Sequence, residues 1–258
     1  MSATLSDRFA VLSDIHGNLP ALEAVLRDVR RNRVDQLVIG GDVLPGPMPC
    51  EVLELLRTLD IPARFIHGNG DREVLARMTG AETPWYRHAR EEWRVPVRWT
   101  AEQLGGHLRD AITSWPSTQR LDVNGVGDVL FCHATPHNDV DCFTRMTPDS
   151  RVRGIVGGCR ASMVVCGHTH MQFDRRVDDI RVVNAGSVGM PFSEPGAYWL
   201  LIESGGVELR RTEYDLTDAA ARIRATAYPD AEEFAAHNVL DPPSEDEMLE
   251  IFSRADTT

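Results

Sequence analysis

The chain has 258 residues, 42% of them hydrophobic and 26% charged, and its net charge of −12 sets 39 acidic residues against 27 arginines and no lysine. That length accommodates one large α/β domain with a small appendage. The acidic balance argues against stable nucleic-acid or membrane-surface binding, and the lack of lysine excludes P-loop and Schiff-base lysines. A small phosphorylated substrate stays compatible, because bound divalent cations would reverse the local field.

Met1 to Asp7 is polar, and the first apolar run, Phe9 to Leu12, is too short for a signal h-region or a membrane span. The odd set of cysteines (Cys50, Cys132, Cys142, Cys159 and Cys166) contains no CxxC pair and reads as reduced, mostly buried thiols. Both features point to a cytoplasmic protein.

In chain order, Phe9–Leu12 predicts a strand, Asp14–Asn18 a turn and Leu19–Val29 an amphipathic helix. Gln36–Ile39 repeats the strand, followed by a Gly/Pro loop and a helix near Cys50–Thr58. Ala63–Ile66 is a third strand, Gly68–Asp71 a turn and Arg72–Met78 a helix, so this third suggests βαβ units and a buried, largely parallel sheet. Ala81–Pro116 reads as a helical insert with a capping box at Thr100 and Gln103, and it holds Trp85, Trp93, Trp99 and Trp115. From Gln119 the pattern becomes β-rich, with a hairpin turn at Asn124-Gly125 and further turns at Asp178-Asp179 and Gly205-Gly206. Thr217–Ser253 predicts helices broken at Pro229 and Pro242-Pro243. The expected organisation is residues 1–214 as the main domain, with the insert at about 81–116, and 215–258 as a helical extension. Two sheets packed face to face with helices outside fit this order.

Strands end repeatedly in residues suited to metals: Asp14-Ile15-His16, Gly41-Asp42, Gly68-Asn69-Gly70-Asp71, His133, and Gly167-His168-Thr169-His170. Ligands of open α/β sheets gather beyond the carboxyl ends of strands, so distant segments can converge there. Singly each is a common turn; together, each just after an apolar run, they predict a metal site.

This ordered set resembles the calcineurin-like metallophosphoesterases, and Asn184-Ala185-Gly186-Ser187-Val188-Gly189 resembles the small bacterial and archaeal branch of YfcE-type phosphodiesterases. The resemblance implies a four-layer αββα sandwich of two mixed β-sheets flanked by helices. It also implies two divalent metal ions. Asp14, His16 and His170 would hold one; Asn69, His133 and His168 the other; Asp42 would bridge them. Carboxylate, amide and imidazole ligands suit Mn²⁺, with Fe or Zn²⁺ as alternatives. The implied function is a metal-binding hydrolase, a phosphodiesterase or phosphatase using in-line attack of a metal-bridging hydroxide. Asp42 and Asn69 would take part in catalysis, with Asp71 orienting a ligand.

Much of the wider family carries a histidine where this chain has Gly70, which favours good leaving groups such as aryl phosphates, nucleotides and pyrophosphates. His137 and His67 are the candidate replacement acids. Asn69, His137 and Arg72 are the candidate substrate contacts. The competing expectations are a dinucleoside polyphosphate hydrolase and a non-catalytic scaffold of the same fold. Three further features stay open between two readings: the tryptophan-rich insert as a base-stacking lid or as packing, Asn184–Gly189 as an anion nest or a tight turn, and the acidic run Asp241–Glu250 as a solvated face or a homo-oligomer contact.

Overall fold

The computed structural model describes residues 8–255; the polar stretch Met1–Asp7 and residues 256–258 lie outside it. The first βαβ units are β1 (Arg8–Leu12), α1 (Leu19–Arg31), β2 (Gln36–Gly40), α2 (Pro49–Arg57), β3 (Ala63–Ile66) and α3 (Asn69–Met78). The insert is α4 (Pro84–His88), α5 (Glu91–Gln103) and α6 (Gly106–Thr113). A β-rich half follows: β4 (Thr118–Val123), β5 (Gly127–Cys132), α7 (Asp149–Val156), β6 (Met163–Cys166), β7 (Phe173–Val177), β8 (Ile180–Asn184), β9 (Ala197–Glu203) and β10 (Gly206–Thr212). The extension is α8 (Leu216–Arg224), α9 (Ala231–Phe234) continued as a π-turn over Ala235–Leu240, and α10 (Glu245–Ala255).

Two mixed five-stranded sheets result, in the orders β10-β9-β1-β2-β3 and β4-β5-β6-β8-β7. The parallel parts are β1-β2-β3 and β5-β6-β8; β9 and β10 add antiparallel beside β1, and β4 and β7 are antiparallel edges of the second sheet. The first sheet is therefore less parallel than its opening units suggest, because β9 and β10 return from the far end of the chain to pair beside β1.

Alternation along the strands explains the layers. Phe9 and Val11 face the second sheet, where they share a buried cluster with Val38, Phe131, Val165 and Leu200. Ala10 and Leu12 face the opposite way, under Leu22 and Leu26 of α1. On the second sheet's outer side, Leu130, Val164 and Val182 pack beneath Val152 and Val156 of α7. Helix, sheet, sheet and helix are thus stacked as an αββα sandwich.

Several expectations are corrected here. Thr100 does not cap a helix, because α5 begins at Glu91 and runs through Pro96; Thr100 is buried inside it. α7 falls where no element is read from the sequence. Only Cys132 and Cys166 of the five free thiols are buried, the other three being partly exposed. In the insert, Trp115 stacks on Phe65 at 5.1 Å and Trp99 meets Tyr228 edge-on at 5.3 Å, as packing requires. Trp85 and Trp93 are 41% and 56% exposed. None of the described helices is long and apolar enough to cross a membrane.

Candidate functional site

The carboxyl ends of β1, β2, β5 and β6, with the N-terminus of α3, meet at one rim of the sandwich. Asp14, His16 and His170 form one group, and Asp42, His133 and His168 another; within each, potential ligand atoms lie within 4.8 Å of one another. His16 Nε2 is 3.3 Å from His170 Nε2, although 154 residues separate them in sequence.

The backbone is bent to achieve this. Asp14, His16, Asp42, His168 and His170 all have left-handed φ, at 55°, 46°, 48°, 66° and 59°. Such conformations cost on the order of 1–3 kcal/mol each, and persist only where surroundings enforce them. Enforcement is visible: Asp14 N–H donates to Gly41 O (3.0 Å), and His16 N–H to Asp42 O (3.0 Å). Gly167 lies so close to Asp14 that a β-carbon there would sit 2.4 Å from Asp14 Oδ2.

Backbone carbonyls orient three of the imidazoles. Gly40 O is 2.9 Å from His133 Nδ1, Met190 O is 2.6 Å from His170 Nδ1, and Val140 O is 3.2 Å from His168 Nε2. Each carbonyl accepts the proton of the nitrogen it faces, so the nitrogens aimed at the centre are His133 Nε2, His170 Nε2 and His168 Nδ1. None of these three acceptors is read from the sequence, since a carbonyl carries no residue identity.

Asp42 stands between the groups. Its Oδ1 accepts the Gly70 N–H at 2.7 Å, and its Oδ2 lies 3.5 Å from His133 Nε2 and 3.9 Å from His16 Nε2. Asp14 is fully buried. Its Oδ2 accepts the His168 N–H at 3.0 Å. Its Oδ1 makes no hydrogen bond and lies 3.2 Å from His170 Nε2 and 3.9 Å from His133 Nε2. A buried, unsatisfied carboxylate oxygen among converging imidazoles is the signature of a cation site. The oxygen and nitrogen donors fit a divalent metal. Asn69, the first residue of α3, has one amide atom 3.2 Å from His133 Nε2 and 3.0 Å from His168 Nδ1. That atom is Oδ1, so it faces the centre as a ligand oxygen would.

The electrostatics follow. Burial works to raise the Asp14 and Asp42 pKa values, but His170 at the first and His133 at the second outweigh it and hold both below the carboxylate range. Burial opposes charge on His133 too, yet Asp42 and Asp14 lift it to about 10. His168 is pushed down to about 4 by burial and by His133. Burial also lowers His16.

The remaining expected site residues are placed differently. Asp71 touches backbone, accepting Leu44 N–H and Gly68 N–H at 3.0 Å each, so it ties α3 to the loop carrying Asp42. Burial and Asp42 push it up to about 8. Arg72 is held by Asp139 and Glu73. His137 is exposed on a turn, its N–H donating to Thr135 Oγ1 at 3.3 Å. His67 Nδ1 is 3.9 Å from Asp139 Oδ2. A side chain at Gly70 has no room: its β-carbon would lie 2.3 Å from Leu44 O and 3.0 Å from Pro45 Cδ. Asn184–Gly189 resolves as a tight turn, because its amides serve the fold. Gly186 N–H donates to Asn184 Oδ1, Val188 N–H to Ser13 O, and Gly189 N–H to Asp14 O.

Comparison with known proteins agrees with this geometry. The family model described as the calcineurin-like phosphoesterase superfamily domain matches residues 8–205. The chain is 27% identical over 240 residues to an uncharacterised protein of Methanocaldococcus jannaschii, covering 86% of this chain and 93% of that one. It is 29% identical over 135 residues to a symmetrical bis(5'-nucleosyl)-tetraphosphatase of Baumannia cicadellinicola, covering 50% of this chain and 43% of that one. A solved metallophosphoesterase of Sphaerobacter thermophilus superposes with TM-score 0.70 at 25% identity, covering 91% of this chain and 100% of that one.

Proposed function

The chain belongs to the calcineurin-like phosphoesterase superfamily and is a phosphoester hydrolase, and from that premise we propose that it uses two divalent cations, Mn²⁺ foremost, to hydrolyse a phosphodiester or phosphomonoester of a small substrate. The observation that carries this reading is the position of Asp42 Oδ2, within 4 Å of an imidazole nitrogen from each group. Asp14, His16 and His170 would hold one cation, Asn69, His133 and His168 the other, and Asp42 both. When bound, such a pair acts as a Lewis acid that lowers the pKa of water toward neutrality and offsets charge on phosphoryl oxygens.

The protein's own part is placement. Gly70 N–H, at the start of α3, fixes Asp42 Oδ1 and leaves Oδ2 free, and the helix N-terminus adds favourable potential for anions. The Gly40, Met190 and Val140 carbonyls hold protons on the outer nitrogens, so the inner ones remain donors to metal. The Leu44–Pro45 segment fills the space beside Gly70. No side chain there can protonate a leaving oxygen, which favours esters with acidic leaving groups.

That same feature supports a second reading, a dinucleoside polyphosphate hydrolase, in line with the tetraphosphatase resemblance over half of the chain. Side-by-side turnover of bis-p-nitrophenyl phosphate, p-nitrophenyl phosphate and a dinucleoside polyphosphate, with Mn²⁺ and with chelator, separates the two. Chelator-sensitive hydrolysis of the aryl esters supports the first, and strong preference for the pyrophosphate bond the second. Inactivity on all three would sink both.

A further inference from the structure

Arg72 follows Asn69 by one turn of α3, beside the second cation group. Its guanidinium is already engaged. Nε donates to Asp139 Oδ2 at 2.8 Å and Nη2 to Asp139 Oδ1 at 3.1 Å, a bidentate fork, while Nη1 donates to Glu73 Oε1 at 2.6 Å. Glu73 is itself 3% exposed and accepts the Thr83 hydroxyl. A substrate phosphate would have to displace two carboxylates to reach this arginine.

The other end of the fork explains its value. Asp139 sits in a turn braced from within: Asn138 Oδ1 accepts Val140 N–H (3.0 Å) and Asp141 N–H (2.8 Å), and Thr135 Oγ1 accepts Asn138 N–H (3.2 Å). One carbonyl of that turn faces a candidate ligand: Val140 O is 3.2 Å from His168 Nε2.

We propose that Arg72 is a positioning residue for the second cation group, its fork to Asp139 locking the 135–141 turn against α3 and so setting the His168 ring. The arginine acts through the turn, without touching substrate or cation. A guanidinium suits this task because its planar fork matches both carboxylate oxygens at once, which an ammonium cannot do. The inference rests on the two-cation reading above.

Calorimetric titration of Mn²⁺ alone into the metal-free protein, wild type against R72A, R72K, D139N and the R72A/D139N double variant, tests it. The wild type takes up two cations. In R72A and D139N one binding step weakens by roughly 10- to 100-fold and the other is unchanged. The double variant is no weaker than the worse single one, because both break the same fork. R72K recovers only part of the loss. Should R72A fail to fold, D139N preserves the side-chain shape and carries the same comparison. Unchanged affinity at both steps overturns the proposal, as does equal weakening of both, which would mean general loosening. Unchanged affinity with a raised KM would make Arg72 a substrate contact instead. A wild type that binds fewer than two cations overturns the two-cation reading and this inference with it.

Discussion

Asp42 shares its Oδ2 between the two imidazole groups, so its replacement cannot be confined to one of them. Asp42→Asn should lower kcat/KM by at least about 10²-fold and reduce the metal content, read by elemental analysis beside turnover. Full activity in this variant would contradict the shared-ligand role. His133 provides a pH signature. In the metal-free folded chain its pKa is lifted to about 10, against 6.5 for a free histidine. Its contribution to stability is complete below pH 6.5 and is lost as pH rises through 10. The melting temperature of chelator-treated protein should therefore fall across that window, and His133→Gln should lack the decline. On the two-cation reading a cation would take the place of this proton, so Mn²⁺ uptake at pH 7 should release about one proton, measured from binding heats in two buffers. Gly70→His, which restores the wider family's residue, should destabilise the protein by about 1–3 kcal/mol in urea unfolding, because Leu44 O stands in the way. At this scale six of the seven candidate ligands were legible because carboxylates and imidazoles announce their chemistry, and Asn69 was read from its place in the motif. The fork from Arg72 to Asp139 was not legible, since the two lie 67 residues apart and no local pattern links them.

The helix α3 shows how an element, more than a residue, builds the rim. It starts at Asn69, within the motif and three residues earlier than periodicity suggests, so its Gly70 amide faces Asp42. Asp71 then pins that first turn to Leu44. Asp71→Asn should lose one of its two backbone bonds and cost about 1–3 kcal/mol, again in urea. A loss below about 0.5 kcal/mol would show that the bond is dispensable. Strand positions were legible from apolar runs, and turns from Asn-Gly and Gly-Gly pairs. Sheet membership was not: β9 reads like its neighbours in sequence, yet pairs with β1 because its alternate faces bury Leu200 between the sheets and Trp199 beneath the helices. The extension also reaches the site. Phe252 of α10 meets Phe192 at 6.2 Å, and Phe192 stacks on His170 at 4.8 Å.

For the whole molecule, the two-cation reading makes stability depend on loading. Cations at about 100 times their Kd stabilise a folded chain by about 2.7 kcal/mol per independent site. A domain of this size shifts its Tm by roughly 2–4 °C per kcal/mol. Chelation should accordingly lower Tm by about 5–10 °C per site vacated, seen by calorimetry and reversed by added Mn²⁺, and an unchanged Tm would count against bound cations in the fold. The two-sheet architecture was foreseeable from the order of elements, and its parallel strands, whose carboxyl ends point the same way, explain why ligands from five segments share one rim. That sharing has a consequence for synthesis. His16 leaves the ribosome 154 residues ahead of His170, a delay on the order of 10–30 s at about 5–20 residues per second. Throughout that interval the nascent chain lacks His170, and up to residue 168 it carries neither complete cradle. On the two-cation reading, the cradle that needs His170 can therefore fill only after translation has passed that residue, as a finishing step rather than as a nucleus for folding.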